Sequence, residues 1–167
     1  MKVKDLLNLI PQEELEFLAA ETNVDYQVKK LNGITIFQLL IFSYLSPQKI
    51  SLRIMEEFFK SMKFQIISGI KDKTTRYNSI RDRICNMNPD FFEKIFKTLF
   101  DRFNVLLDEK EAIIRYDSTM IGISSKLVEW GMKVGSKTNK VQLKYTFGMK
   151  GSIPCDVKIF DNQDRKS

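Results

Sequence analysis

The sequence predicts an α+β protein, with an all-helical domain first and a small, incomplete three-stranded sheet after it. Three observations predict this. Apolar residues recur at helical spacing, broken by proline and serine, through roughly the first hundred residues. From Ile113 onward the pattern changes to a short apolar run and then to period-two alternation. A charged stretch, Leu107-Asp108-Glu109-Lys110-Glu111, separates the two textures. The expected division is therefore a helical domain over 1–107 and a sheet domain over 108–167.

The helical elements follow in order. Residues 1–21 read as two short helical pieces broken at Pro11, the second carrying Leu15, Leu18 and Ala19 inward and Glu13, Glu14 and Glu16 near its positive end. Thr22 to Asn32 is a polar connector ending at Gly33. Ile34 to Leu45 is apolar on nearly every side, which predicts a helix in the middle of the core, ended by Pro47. Ser51 caps a helix from Leu52 to about Met62, with Leu52, Met55, Phe58, Phe59 and Met62 inward and Arg53, Glu56, Glu57 and Lys60 outward. The turn from Ser46 to Ser51 fits a helix-turn-helix and equally an ordinary helical hairpin. Thr74 or Thr75 caps a helix running to about Met87, with Tyr77, Ile80, Ile84 and Met87 inward. Its other face carries Arg76, Ser79, Arg83 and Asn86, residue types that make backbone contacts to DNA and that also suit a solvated face. Asn88-Pro89 starts a last helix to about Phe103, with Phe92, Ile95, Phe96, Leu99 and Phe103 as its buried stripe. The aromatic residues sit between aliphatics at helical spacing, so they read as core rather than as a base-stacking platform.

In the sheet domain, Ile113 to Tyr116 reads as a buried strand that delivers Asp117 to its C-terminal end, followed at once by Ser118 and Thr119. Val141 to Met149 alternates apolar and polar residues, Lys150-Gly151-Ser152 is a turn, and Ile153 to Phe160 is the partner strand. Lys126, Lys133, Lys137, Lys140, Lys144 and Lys150 gather in this part, with Glu129 the one acid among them. A three-stranded sheet with one face uncovered is marginal, so the expected domain continues past Ser167.

Composition narrows the function. With 43% hydrophobic and 29% charged residues, the chain is globular rather than disordered. No apolar run approaches the roughly 20 residues of a membrane span, and the N-terminus is not a signal peptide, so no membrane partner is expected. Cys85 and Cys155 lie far apart and suggest no disulfide framework, which points to the cytoplasm. Histidine is absent, excluding a Ser-His-Asp triad, a Cys-His pair and His-ligated zinc; two cysteines exclude a Cys₄ site. Any chemistry must rest on carboxylates, lysines or hydroxyls. A net charge of +6 suits a polyanion such as DNA. Asp117 then has two readings: an Mg²⁺-type oxygen ligand at a rigid strand end, or the N-cap of a helix starting near Met120.

Asp117-Ser118-Thr119 after an apolar strand, a Lys- and Gly-rich segment, then Gln142-Leu143-Lys144-Tyr145 and the Gly-Ser-Ile-Pro turn at 151–154 resemble the opening of the catalytic domain of bacterial insertion-sequence transposases. The group named after insertion sequence 4 is the nearest. Ser51-Leu52-Arg53-Ile54-Met55-Glu56 with Phe59, and Tyr77-Asn78-Ser79-Ile80 with Arg83, are similar to that group's N-terminal region. The resemblance implies an RNase H-like fold with an Asp-Asp-Glu triad holding two divalent ions, Mg²⁺ or Mn²⁺, that activate water or a 3′-hydroxyl against a DNA phosphodiester. Asp117 matches the first acid; the other two fall beyond Ser167, so the ions are expected only with the complete triad. It further implies DNA partners (element ends and target), a homodimer, and a place at the nucleoid. Arg76, Ser79 and Arg83, together with Lys137, Lys140 and Lys144, are the expected DNA-contacting residues, Lys144 lying near Asp117 in the paired sheet. The alternative function is a non-catalytic, basic, helical DNA-binding protein.

Overall fold

The structure is a computed structural model; it describes residues 9–70, 74–104, 114–123, 132–133, 141–150 and 153–160. The expected helical piece before Pro11 lies mostly outside these residues. Among the described residues there are six helices and an antiparallel sheet of three long strands and one very short one, which bears out the α+β class. The chain divides into two compact units, Met1–Leu99 and Phe100–Ser167.

In the first unit, α1 spans Gln12–Glu21, α2 Gly33–Tyr44, α3 Leu52–Lys60, α4 Met62–Ser68 and α5 Tyr77–Asn86, and α6 begins at Asp90 and runs to Asn104. The core is one cluster. Ile36, Leu39, Phe59, Phe64, Ile80 and Phe91 are fully buried, joined by Leu15 and Leu18 of α1 and Ile95 of α6. The apolar α2 supplies the middle of this cluster, as its sequence predicts. Phe42, Phe58, Phe59 and Phe64 lock edge-on and tilted, with ring centroids 5.4–5.9 Å apart.

Local signals set most helix starts. Asn32 Oδ1 accepts the Thr35 N–H at 2.8 Å, Ser51 Oγ accepts the Ile54 N–H at 3.3 Å, and Asn88 Oδ1 accepts the Asp90 N–H at 3.0 Å. Two helical expectations are corrected. The helix predicted to run to Met62 stops at Lys60, because Ser61 turns out of the helix and starts a new one. Its hydroxyl donates to Phe58 O at 2.7 Å while its oxygen accepts the Phe64 N–H at 3.3 Å. Met62 therefore leaves the expected inner stripe and stands 76% exposed, and Phe64 takes the core position. In α6, Phe91, absent from the expected stripe, is fully buried beside Ile95, while Phe92 is only half-buried.

Gly33 explains where the connector can end. A Cβ there would stand 2.8 Å from Val24 Cγ1 and 3.2 Å from Phe91 Cε1, so α2 begins where the backbone passes close against its neighbours.

In the second unit, β1 spans Ile114–Ile123, β2 Met132–Lys133, β3 Val141–Lys150 and β4 Ile153–Phe160. Strand β3 is central. It pairs antiparallel with β1 along its whole length, from Ile114 opposite Lys150 to Ile123 opposite Val141. It pairs with β4 from Lys144 opposite Phe160 to Lys150 opposite Ile153, and with β2 at residues 141 and 142. The 150–153 hairpin is as predicted. Strand β1 is not: it continues through Asp117 for six more residues, so Asp117 is an interior strand residue rather than the residue after the strand, and the N-cap reading of Asp117 falls with it. The long antiparallel partner β3 pairs with Asp117 to Ile123 residue by residue and so extends the strand past the apolar run. The register also slips between Gly148 and Met149, leaving Cys155 as the extra residue of a bulge.

Gly33→Ala should destabilise the helical unit by about 1–3 kcal/mol through overpacking against Val24 and Phe91. Urea denaturation of the two proteins checks this, and equal midpoints would contradict the close approach.

Candidate functional site

The face expected to meet DNA lines an open cleft in the helical unit. Arg76 at the N-cap of α5, Ser79, Arg83 and Asn86 within it, and Thr75 before it line the cleft, together with Lys30 of the connector and Lys60 of α3. The cations outnumber the acids, Glu56 and Asp82, that line the same cleft. Its electrostatics suit an anion.

The start of α5 is built differently from the expectation that Thr74 or Thr75 caps it. Arg76 stands at the N-cap in extended backbone and makes no side-chain cap bond. The cap comes from α3: Glu56 Oε2 accepts the Tyr77 N–H at 2.7 Å, while Glu56 Oε1 accepts from Lys60 Nζ at 2.5 Å. The hydrogen bond from Lys60, and next the one from Tyr77, holds the Glu56 carboxyl below the ordinary carboxylate range. Arg53 adds a contact of its own, its guanidinium 5.7 Å from the centre of the Tyr77 ring. Thr75 is buried in the wall of the cleft.

Arg83, expected as a phosphate contact, is turned into the protein. Its Nε donates to Leu31 O at 2.7 Å, and its Nη2 donates to Val24 O at 2.8 Å and to Asp25 Oδ1 at 2.8 Å. Its side chain is only 11% exposed. The connector has no ladder of its own, so its carbonyls need donors, and the planar guanidinium fork supplies them. Arg76 and Ser79 are exposed along the cleft.

In the sheet, register decides what Asp117 can meet. Asp117 stands opposite Phe147, and cross-strand partners share a face. Its face therefore also carries Arg115 and Thr119 from β1, Tyr145 from β3, and Val157 and Ile159 from β4. The Tyr145 and Phe147 rings meet edge-on at 5.0 Å there. Lys144 lies opposite Met120, an odd number of residues from Phe147, and so projects from the other face. On that face its ammonium sits 5.4 Å from the centre of the Phe160 ring. The expected nearness of Lys144 to Asp117 is thus corrected: the two lie on adjacent strands, three residue pairs apart along the ladder and on opposite sides of the sheet. Lys137 and Lys140 lie outside the described residues.

Asp117 is exposed; its Oδ1 accepts the Ser118 N–H at 2.8 Å, and Oδ2 has no partner among the described residues. Asp156, the nearest acid on the neighbouring strands, is opposite Gly148 and therefore on the Lys144 face, where it pairs with Lys158 at 3.6 Å. Among the described residues no group of three or more His, Cys, Asp or Glu side chains is placed to hold a metal ion. Among the described residues the donor set does not fit a two-ion centre: Asp117 supplies one carboxylate, and no catalytic step through a metal follows from it.

Comparison with protein-family models, with curated proteins and with solved structures finds no match to this chain. Sequence reasoning missed Glu56 and Thr75 as parts of the cleft. The Glu56–Lys60 spacing of four residues signals their pairing, but nothing in the sequence signals a bond from Glu56 to an amide 21 residues later.

Two measurements bear on this geometry. Arg83→Lys should cost about 2–3 kcal/mol, since a single ammonium cannot reproduce three directed bonds and leaves half-buried acceptors unpaired. A thermal melt within a degree of wild type would remove Arg83 as a brace. For Glu56 the folded value is depressed, so the stability it contributes is fully present above the ordinary carboxylate value of 4.5 and is lost as pH falls through the lower folded value. Glu56→Gln should therefore flatten the acid limb of a stability-against-pH curve and leave its neutral-to-alkaline shape unchanged; superimposable acid limbs would contradict the cap.

Proposed function

We propose that this chain is the DNA-binding region and the beginning of the RNase H-like catalytic sheet of a DNA strand-transfer enzyme of the insertion sequence 4 transposase group. The observation that carries the reading is Asp117: an exposed carboxylate, with one oxygen unpartnered among the described residues, held inside a ten-residue strand that pairs in full with β3. A strand paired along its length fixes the position of an oxygen ligand better than a loop does. The net charge of +6 and the cationic cleft of the helical unit supply the affinity for nucleic acid. In this reading Asp117 is one of three acids of an Mg²⁺ or Mn²⁺ centre, and the chain acts as a homodimer on paired DNA ends, at the nucleoid of the cytoplasm. The alternative, a basic helical DNA-binding protein without catalysis, is favoured by the same cleft, which needs no metal.

The two readings separate in the gene. A reading frame continuing past codon 167, directly or through a frameshift, to an Asp after a strand and a later Glu supports the enzyme. A frame with no such continuation leaves the DNA-binding protein. For either, duplex affinity of the full chain should fall roughly a hundredfold between 50 and 200 mM salt if about four phosphates are contacted. Fluorescence anisotropy measures this, and salt-insensitive binding would remove DNA as the partner.

A further inference from the structure

We propose that the cleft at the start of α5 is a binding site for a phosphate group, and that Glu56 is an internal competitor holding its place. The proposal rests on the nucleic-acid reading above only for the source of the phosphate. Three observations converge on the site. The first is the donor set. The Tyr77 amide is taken by a carboxylate, Glu56, and the amides of Asn78 and Ser79 have no acceptor among the described residues. The Arg76 backbone carbonyl takes only the next amide, that of Ile80, at 3.2 Å. These amides all belong to the first turn of a ten-residue helix, where partial positive charge gathers.

The second observation is Thr75, which points to a ligand independently of the helix. It is 7% exposed and lines the cleft, and its hydroxyl has no hydrogen-bond partner among the described residues. A buried hydroxyl without a partner is uncommon, because its desolvation is not offset. An oxyanion seated over the amides of 77–79 gives that hydroxyl an acceptor. The third observation is charge: Arg76 and Lys60 line the same cleft, and Lys60 already holds an anion there, the Glu56 carboxylate. Glu56 thus makes with one carboxylate the two contacts, amide and ammonium, that a phosphate would make with more oxygens. Inorganic phosphate has more oxygens than a carboxylate, arranged tetrahedrally, and can engage Thr75 and Ser79 as well as the amides, which Glu56 does not do; a DNA phosphodiester offers as many non-bridging oxygens as the carboxylate it displaces. Binding displaces Glu56 from Tyr77; no bond is broken or formed covalently.

The test is an NMR titration of the full chain with inorganic phosphate, following the amides of Tyr77, Asn78 and Ser79. Saturable shifts confined to those amides are expected. Glu56→Gln, which keeps an acceptor and removes the competing charge, should tighten binding about two- to fivefold. Thr75→Val and the exposed Arg76→Gln should each weaken it. Absence of saturable shifts, or an affinity indifferent to Glu56→Gln, overturns the proposal. A parallel titration with duplex DNA identifies the source. DNA that moves the same amides and displaces phosphate supports both the site and the nucleic-acid reading. Phosphate binding with no response to DNA keeps the site and rejects that reading. Salt-dependent DNA binding with 77–79 silent to both ligands rejects the site alone.

Discussion

One guanidinium holds the helical unit's irregular segment in place. The connector between α1 and α2 has no ladder to satisfy its carbonyls, and two of its residues, Asn23 and Gln27, take positive φ to wind it tightly. Arg83 reaches back 52 to 59 residues to bond Leu31 O, Val24 O and Asp25. Asp25 Oδ1 also accepts the Gly33 N–H at 2.6 Å, so the same pair anchors the first amide of α2. Asn88 donates to Thr22 O at 2.9 Å and fastens the other end of the connector to the start of α6. Two helices, α5 and α2, are tied to the loop through two charged side chains, and the neutral Asn88 adds α6.

The second unit obeys a simpler constraint, the parity of a β-ladder. Once Ile114 is opposite Lys150, every later pair is assigned to a face. Parity puts Asp117 among Phe147, Tyr145 and the β4 aliphatics, and it puts the basic residues Lys144 and Lys158 with Asp156 on the other side. The lysine density that composition places beside Asp117 is, for these residues, behind the sheet. Any anionic partner drawn by Lys144 and Lys158 meets a different surface from any partner of Asp117.

The helical unit shows how capping can come from outside the local sequence. α2, α3 and α4 are capped by the residue just before them, Asn32, Ser51 and Ser61, of which the sequence predicts only Ser51. α5 has threonines in the right place and does not use them: Thr75 is buried in the wall of the cleft, and Glu56 of α3 does the capping. A carboxylate at that position satisfies one amide and leaves its neighbours without an acceptor among the described residues, and this is why the beginning of α5 has the character of an anion site.

The sequence by itself determined the order of the helices other than α4 and of the three long strands, the buried residues Ile36, Leu39, Phe59 and Ile80, the hairpin at 150–153, and the exclusion of histidine-based chemistry. These are legible because periodicity, caps and composition act over a few residues. Tertiary structure decided that β1 runs through Asp117, that Lys144 faces away from it, that Arg83 braces a loop instead of facing solvent, and that Glu56 caps a helix 21 residues on. Each depends on a partner distant in sequence, and a residue's own neighbours carry no record of which distant donor or strand will reach it.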